Sequence, residues 1–194
     1  MIFQEQTYSV LVVSTQKFFE TVSQMLPGSE YYPVLTVGNA AAARREMLSR
    51  SFDLVIINAP LPDEFGTRFA IDTARRSNCA VLLLVRGDVY EEVNAKVISH
   101  GVFTLSKPTP SQMLQQGLKW MCAARERLRC LEEKASSMEE KMEEIRLINR
   151  AKWVLIEHLK MSEEDAHHFI ERQAMDRCLP KREIAQGIIK TYTP

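Results

Sequence analysis

The sequence predicts an α/β domain with a five-stranded parallel sheet, followed by a long helix and a small bundle of three helices. Three observations in the 194-residue chain support this prediction. Short apolar runs alternate with segments of helical periodicity through roughly the first 110 residues. Apolar residues then recur every seven positions from Met121 onward. Amphipathic segments with short connections complete the chain.

The predicted strands are short runs that are apolar or β-branched along their whole length. Strands of this kind are buried on both faces, as in a parallel sheet that is covered by helices. Asn39 and Asp88 are suited to cap the second and fourth helices, and Pro27 and Gly28 end the first. Five βα units predict a doubly wound, flavodoxin-like domain over residues 1–118. The strands are expected at residues 8–13, 33–37, 53–57, 80–85 and 102–105, and the helices at 16–26, 39–49, 67–76 and 88–100.

The charge balance and hydropathy exclude several kinds of partner. Lysine and arginine together number 25, as do aspartate and glutamate, so binding of nucleic acid through bulk charge is not expected. A local basic patch is compatible with this balance, because the average hides asymmetry. No apolar run approaches the roughly 18 residues of a membrane-spanning helix. The N-terminus lacks the features of a secretory signal, so the sequence predicts no membrane association.

The cysteines and the catalytic residue types point away from an enzyme. The four cysteines include no CxxC pair and no paired histidine, which favours reduced thiols in the cytoplasm over disulfides or a zinc site. The sequence contains no recognisable nucleophile–base pair, glycine-rich phosphate loop or cluster of metal ligands. We therefore predict a protein that is not an enzyme and that uses no cofactor or metal.

The loop after the third predicted strand carries a distinctive spacing. Asn58, Pro62 and Gly66 follow the pattern N-x-x-x-P-x-x-x-G, and Lys107 precedes a proline after the fifth strand. Together these features resemble the receiver domain of response regulators, over residues 5–120. The resemblance implies that Asn58 occupies the position of the aspartate that accepts phosphate in that family.

Other positions depart from the receiver pattern. Receivers carry two acidic residues after the first strand to hold Mg²⁺, whereas Ser14 and Thr15 stand there in this chain. The hydroxyl residue of the fourth strand corresponds to Val85. The aromatic residue of the fifth strand corresponds to Thr104, or to Phe103 in an alignment shifted by one residue.

These departures predict a pseudo-receiver that cannot be phosphorylated at this site. The amide of Asn58 is not a nucleophile for acyl-phosphate formation, and Mg²⁺ prefers carboxylate oxygens. Lys107 is the one residue of the phosphorylation machinery that is retained. Without an aspartate at position 58, we interpret it as a structural lysine that contacts a backbone carbonyl.

The middle of the chain, residues 119–145, has the heptad spacing of a coiled coil about four heptads long. In a parallel pair Arg127 would face Glu132 and Lys134 would face Glu139, and both pairs are opposite in sign. We therefore predict a parallel homodimer. The alternative is a single long helix that packs on its own receiver-like domain. The two registers of the seam are Met121, Leu128, Ala135, Met142 and Asn149, and Ala124, Leu131, Met138 and Ile145.

Residues 146–194 are predicted to form a compact unit of three helices. Ser162 and Asp165 have the spacing of a capping box, and Pro180 lies where a helix can begin. The stretch from Asn149 to Ile189 closely resembles the ANTAR domain of bacterial transcription antitermination regulators. Such regulators also have a receiver, a coiled coil and an ANTAR domain in this order. The matching residues are Ala151, Lys152, Leu155, Ser162, Glu164, Ala166, Gln173, Ala174, Met175, Ile184 and Ala185.

The resemblance implies an RNA-binding protein. Members of the family bind leader transcripts that carry two small hairpins with six-nucleotide loops. Binding prevents formation of a terminator stem, and downstream genes are then transcribed. Without phosphorylation of Asn58, control can come from a partner protein that sequesters the regulator, from a ligand or from the level of expression. Relatives with degenerate receivers favour a regulatory protein partner.

The residues themselves offer candidates for the RNA contact. RNA loops are bound by cations that neutralise phosphates and by planar or amide groups that contact splayed bases. Residues 172–190 hold five lysines and arginines against two acidic residues. The alternative is that each of these side chains simply lies on a solvated face of the helical bundle. The candidates are Arg150, Lys152, Arg172, Gln173, Arg177, Lys181 and Arg182.

Other interpretations stay open from the sequence alone. Trp153 is expected in the core rather than as a stacking platform, and His158, His167 and His168 are expected on the surface. The protein could instead be a dimeric DNA-binding response regulator with a helix-turn-helix, or a scaffold that binds only protein. A basic recognition helix with a glycine-containing turn is not recognisable, which disfavours the DNA-binding alternative.

Overall fold

The computed structural model describes residues 7–192, which contain five β-strands and seven α-helices. No helix in this range is both long and apolar enough to cross a membrane. The strands are β1 (Tyr8–Val13), β2 (Tyr31–Val37), β3 (Leu54–Asn58), β4 (Ala80–Arg86) and β5 (Val102–Lys107). The helices are α1 (Gln16–Ser23), α2 (Ala40–Ser49), α3 (Thr67–Arg76), α4 (Tyr90–Val97), α5 (Ser111–Leu159), α6 (Glu163–Arg177) and α7 (Lys181–Tyr192).

The five strands form one parallel sheet in the order β2-β1-β3-β4-β5. This is the strand order of flavodoxin-like domains, so the predicted fold class is confirmed. Val13 pairs with Ile57, and Asn58 pairs with Leu84 on the next strand. The carboxyl ends of the strands therefore meet at one edge, where open α/β sheets carry their sites.

Several element bounds differ from the prediction. β2 begins at Tyr31 instead of residue 33, and α1 ends at Ser23 instead of residue 26. Asn39 caps α2 as predicted, because its Oδ1 accepts a hydrogen bond of 2.7 Å from the amide of Ala42. Asp88 is not a cap: it lies in a 3₁₀ turn, and its carboxylate accepts two hydrogen bonds from Arg86.

Strand β2 forms one edge of the sheet, and its pairing with β1 is irregular. Tyr8 pairs with Tyr31 and Val10 pairs with Val34, so β2 holds one extra residue in this interval. Pro33 lies in the same interval and has no backbone N–H to donate. Proline within a sheet is tolerated at an edge strand of this kind.

Successive residues of the central strands point to opposite faces of the sheet and build two apolar layers. Leu11 and Val55 lie in the layer covered by α2, α3 and α4. Val12 and Ile56 lie in the layer covered by α1 and the first turns of α5. Both layers are closed to water, which explains why the strands are apolar throughout.

Helix α5 belongs to both compact units of the protein, which divide after Cys130. The first unit extends beyond the predicted limit of residues 1–118 because the first turns of α5 cover one face of the sheet. Met121 is fully buried there beside Leu118, and Ala124 packs against the same layer. The prediction that Met121 is a dimer-seam residue is therefore wrong, since its side chain is part of the protein's own core.

Asp53, immediately before β3, connects the sheet to α5. Its Oδ2 accepts hydrogen bonds from the amide (3.0 Å) and hydroxyl (2.8 Å) of Ser9. Its Oδ1 accepts from Arg125 Nε at 2.9 Å and Arg129 Nη2 at 3.0 Å. Burial alone would raise the pKa of Asp53, but the hydrogen bonds from Ser9 and Arg125 outweigh it and hold the pKa below its ordinary value. The carboxylate is therefore ionised at neutral pH and fixes α5 to the sheet.

The second unit packs the end of α5 with α6 and α7, which confirms the predicted helical bundle. Ser162 caps α6 as predicted, since its Oγ accepts a hydrogen bond of 3.1 Å from the amide of Asp165. Cys178 ends α6 in the left-handed region, at φ 53°. The carbonyl of Pro180 accepts from the amide of Ile184 in the first turn of α7. The core of this unit is Ala151, Leu155, Ala166, Ile170, Ala174, Ile184 and Ala185.

Candidate functional sites

Asn58 and Lys107 lie together at the carboxyl edge of the sheet. The Nζ of Lys107 donates to Asn58 Oδ1 at 2.8 Å and also to the backbone carbonyl of Ala59. Burial and the neighbouring Arg86 lower the pKa of Lys107. The Lys107 ammonium on β5 is thus held at the end of β3 by two neutral oxygens, and one of them belongs to Asn58, which occupies the position where the resemblance to receivers places an aspartate.

Among the residues that the structure describes, those beside Asn58 offer no carboxylate cluster for Mg²⁺. Ser14 follows β1 at the same edge of the sheet, and its buried hydroxyl donates to the carbonyl of Thr15. Asp63 lies in the loop after β3, but its carboxylate accepts from the amides that begin α2, which lowers its pKa. Across residues 7–192, no group of three or more His, Cys, Asp or Glu side chains is placed to hold a metal ion.

Val85 and Thr104, which correspond to the hydroxyl and aromatic positions of receivers, take part in packing and hydrogen bonding within the first unit. Val85 is fully buried, and the hydroxyl of Thr104 donates to Asn94 on α4. Gly66, the last residue of the N-x-x-x-P-x-x-x-G pattern, has φ 100°. A Cβ at this position would lie 3.3 Å from the side chain of Ile57, so a side chain there would be both strained and crowded.

Three of the cations predicted to bind RNA are already paired with carboxylates in the second unit. Lys152 Nζ lies 3.0 Å from Glu163, and Lys181 Nζ lies 2.6 Å from Glu171. Arg182 lies 3.7 Å from Glu143. The two lysines join different helices, so they hold the bundle together in addition to presenting charge.

The remaining candidates are not gathered into one pocket. Arg150 lines a cleft of about 250 Å³ between α5 and α7, together with Gln186 and Lys190. Gln173 and Arg177 line a different cleft, between α6 and α7. Arg172 is exposed on α6. Among the described residues, Arg150, Arg172 and Arg177 make no ion pair with a carboxylate of the protein.

Trp153 is not in the core, and this prediction is wrong. The side chain is 69% exposed, because the apolar face of α5 is formed by Ala151, Val154 and Leu155 and Trp153 points away from it. Trp153 lines a cleft of about 500 Å³ with Asn149, Lys152, Met161 and Glu163. The sequence offered one signal of this exposure, since Trp153 lies three residues after the polar Arg150 on the same helical face.

The surface histidines agree with the prediction: His158, His167 and His168 are all exposed. The sequence-based list of RNA-binding residues omitted Asn149, Gln186 and Lys190, which line the clefts of Trp153 and Arg150. Asn149 and Gln186 are uncharged and Lys190 lies at the end of the basic segment 172–190, so only helix packing brings the three beside the candidates.

Four apolar seam residues of α5 have side chains more than half exposed. Leu131 is 53% exposed and Met138 65%, with Met142 and Ile145 similar. Ala135 is exposed as well, and Leu128 is half-buried. This stripe begins where the first unit ends, after Cys130.

Residues 136–189 match the ANTAR domain family. The match begins inside the segment 119–145 that the heptad pattern assigned to a coiled coil. The transcriptional regulatory protein PdtaR of Mycobacterium tuberculosis is 24% identical over 170 residues, which are 88% of this chain and 83% of that protein. The similarity to PdtaR therefore extends well beyond the ANTAR segment.

Solved receiver domains resemble the first unit. The signal receiver domain of an HD domain-containing protein from Pseudomonas fluorescens Pf-5 is 26% identical with a TM-score of 0.56, covering 69% of this chain and 96% of that one. A CheY-like receiver domain protein from Methanospirillum hungatei has 18% identity and a TM-score of 0.55, covering 63% and 98%, and shows the fold alone. The chain therefore combines a first unit that resembles receiver domains with a following segment, residues 136–189, that matches the ANTAR domain family.

Proposed function

We propose that the protein binds RNA through its ANTAR domain and regulates transcription by antitermination in the cytoplasm. The observation that carries this proposal is the ANTAR match over residues 136–189. The RNA we propose is a leader transcript with two hairpins, whose capture prevents a terminator stem from forming. Three exposed arginines of the same unit, Arg150, Arg172 and Arg177, have no carboxylate partner among the described residues, and this supports the proposal.

The ion pairs of the second unit indicate which of the predicted cations are most available to bind RNA. A phosphate that approaches Lys152, Lys181 or Arg182 must compete with a carboxylate that already holds the cation. Arg150, Arg172 and Arg177 carry no such competitor among the described residues, so their full charge is available to phosphates. We therefore propose that these three arginines contribute more to RNA affinity than the paired cations, with Gln173 contacting bases.

We also propose that the receiver-type domain regulates without being phosphorylated. Asn58 is bonded to Lys107, and its amide cannot form an acyl phosphate. Control then requires a contact with another molecule, and a regulatory protein partner is the form that we propose.

The exposed apolar stripe from Leu131 to Ile145 supports a homodimer. Apolar side chains that recur every seven residues are stabilised when two helices bury them against each other. A dimer would carry two ANTAR domains, one for each hairpin of the transcript. The second contact would then be intramolecular, so that modest affinity at each site gives tight binding overall.

RNA binding by the whole 194-residue chain tests this function. A pool of RNAs with two hairpins and randomised short loops is enriched on the wild-type protein, and the selected RNA is compared with duplex DNA in gel shifts. We expect a preference for the selected RNA that falls steeply with salt. Replacing Arg172 and Arg177 by alanine should weaken binding and reduce the salt slope by about one for each lost phosphate contact. Arg68→Ala, on the exposed surface of the first unit, is the matched control.

Two results would contradict the proposal in different ways. Equal affinity of the wild-type protein for the selected RNA and for duplex DNA would remove the antiterminator function. Undiminished RNA binding by the double variant would keep that function but move the interface to the face of α5 that carries Arg150.

A further inference from the structure

The exposed indole of Trp153 lies on a face of α5 that is otherwise polar. At about 100° per residue, Arg146, Asn149, Arg150 and Trp153 project within an arc of roughly 100° around the helix. All four side chains are exposed. Neither arginine has a carboxylate partner among the described residues. The face therefore places one large aromatic plane between an amide and two available cations.

The surroundings of Trp153 favour one side for an incoming strand. Toward α7, Arg150 shares a cleft with Gln186 and Lys190, which adds a third cation and a second amide. Toward α6, Trp153 shares a cleft with Glu163, whose exposed carboxylate holds Lys152. Because the Lys152–Glu163 pair is neutral overall, a phosphate gains no net attraction on the α6 side, whereas the cations on the α7 side attract it.

We propose that Trp153 is a stacking platform for an unpaired base of the bound RNA loop. In this arrangement the indole covers one face of the base, the Asn149 amide contacts the base edge, and Arg150 and Arg146 bind the flanking phosphates. The proposal rests on the RNA-binding function above, and it assigns that function a base-contacting residue. A single exposed indole matches the area of one base, and stacking on aromatic side chains tolerates any base because each has a π face.

A protein partner is less well suited to this face. Stable protein interfaces bury about 800 Å² on each side around an apolar centre. The residues around Trp153 on the exposed face of α5 are charged or amide side chains, including Glu157 one turn later. Apolar neighbours of Trp153 are limited to Ile156 and Met161, which line its cleft and are themselves partly buried. Cations beside an aromatic ring are instead the usual composition of a single-strand binding surface.

Affinity for the selected two-hairpin RNA tests the role of Trp153 in the full chain. Stacking of one base on an aromatic side chain contributes about 1–3 kcal/mol, so Trp153→Ala should weaken binding about five- to 150-fold. Trp153→Phe, which keeps an aromatic plane, should restore most of the affinity. Trp120→Ala, at an exposed tryptophan of the first unit, should bind like the wild-type protein.

Fluorescence gives a second and independent readout. In a Trp120→Phe protein the remaining emission comes from Trp153, and the selected RNA should quench it. The same RNA with abasic nucleotides in its loops should quench much less, because no base is left to stack. Circular dichroism should show the same helix content in all variants, since Trp153 is exposed and its replacement removes little packing.

The outcomes separate this proposal from the function on which it rests. Wild-type affinity of Trp153→Ala, or quenching that persists with abasic loops, overturns the stacking role and leaves RNA binding intact. Emission of Trp153 that shifts to shorter wavelength with protein concentration, without RNA, would show that a second copy covers the indole, and also overturns it. Lack of any RNA preference by the wild-type protein instead removes the function itself.

Discussion

Replacing Asp53 by alanine is expected to destabilise the first unit strongly. Its carboxylate accepts four hydrogen bonds, two from Ser9 and one each from Arg125 and Arg129. The substitution removes the anion that both guanidinium groups share, although those groups stay in their partly buried positions. It therefore weakens the attachment of α5 to the sheet.

The size of the effect follows from the burial of this cluster. Removing one partner of a buried ion pair costs about 3–5 kcal/mol, because a charge stays in surroundings of low dielectric constant. Asp53 is 16% exposed and Arg129 is 24% exposed, so water screens part of the interaction, and Arg129 keeps its ion pair with Glu126. We expect a loss of about 3 kcal/mol in the free energy of unfolding of this unit. For a unit of this size, that lowers Tm on the order of 10 °C.

The effect should also depend on pH. The folded-state pKa of Asp53 is depressed, so its contribution to stability is complete above the ordinary carboxylate pKa of about 4. It is lost as the pH falls through the folded-state pKa. The difference in stability between wild-type and Asp53→Ala proteins should therefore be constant near neutral pH and shrink below about pH 4.

Urea and thermal unfolding of the full chain measure this loss. In a Trp153→Phe background the emission of Trp120 reports on the first unit, because Trp120 lies in the part of α5 that packs on the sheet. Asp88→Ala is the matched control, since Asp88 also accepts two hydrogen bonds from arginine but on the surface, where pairs contribute about 0–1 kcal/mol. Equal destabilisation by the two variants would refute the argument from burial.

Two further predictions concern phosphorylation and assembly. Acetyl phosphate with Mg²⁺ should add no phosphoryl group to the wild-type protein or to Asn58→Asp, because Ser14 and Thr15 supply no carboxylates for the metal. A stoichiometric mass gain of one phosphate on the wild-type protein would contradict this prediction. Leu131→Lys with Met138→Lys should give monomers in sedimentation experiments, since the seam would bury charge, whereas Glu133→Lys outside the seam should leave the dimer intact. A wild-type protein that is monomeric at a concentration of tens of micromolar would contradict the prediction that these residues form a dimer seam.

The sheet was predictable because its strands are encoded locally. A run such as Ala80–Arg86 is apolar almost throughout, and only a strand covered on both faces of a parallel sheet needs that composition. The caps were predictable for the same reason, since Asn39 and Ser162 bond to amides three residues ahead. Each of these features depends on a few adjacent residues.

The sites were harder to predict because they depend on contacts between distant residues. A heptad pattern shows that Met121 needs an apolar partner but not whether that partner is a second copy or the protein's own sheet. The charge of Lys181 is visible in the sequence, whereas its pairing with Glu171 on the preceding helix is not. The apolar character of Trp153 suggested burial, but the side chain is exposed because it lies outside the apolar face that α5 presents to the bundle.

The irregular edge at Pro33 has a consequence for solubility. An edge strand with an unbroken row of N–H groups can recruit a strand from another molecule and begin aggregation. Pro33 interrupts that row on β2 because it has no hydrogen to donate, and the extra residue in its pairing with β1 disturbs the register there. At the opposite edge, β5 ends at Lys107 and is followed by Pro108. The sheet is thus a poor template for growth by strand addition.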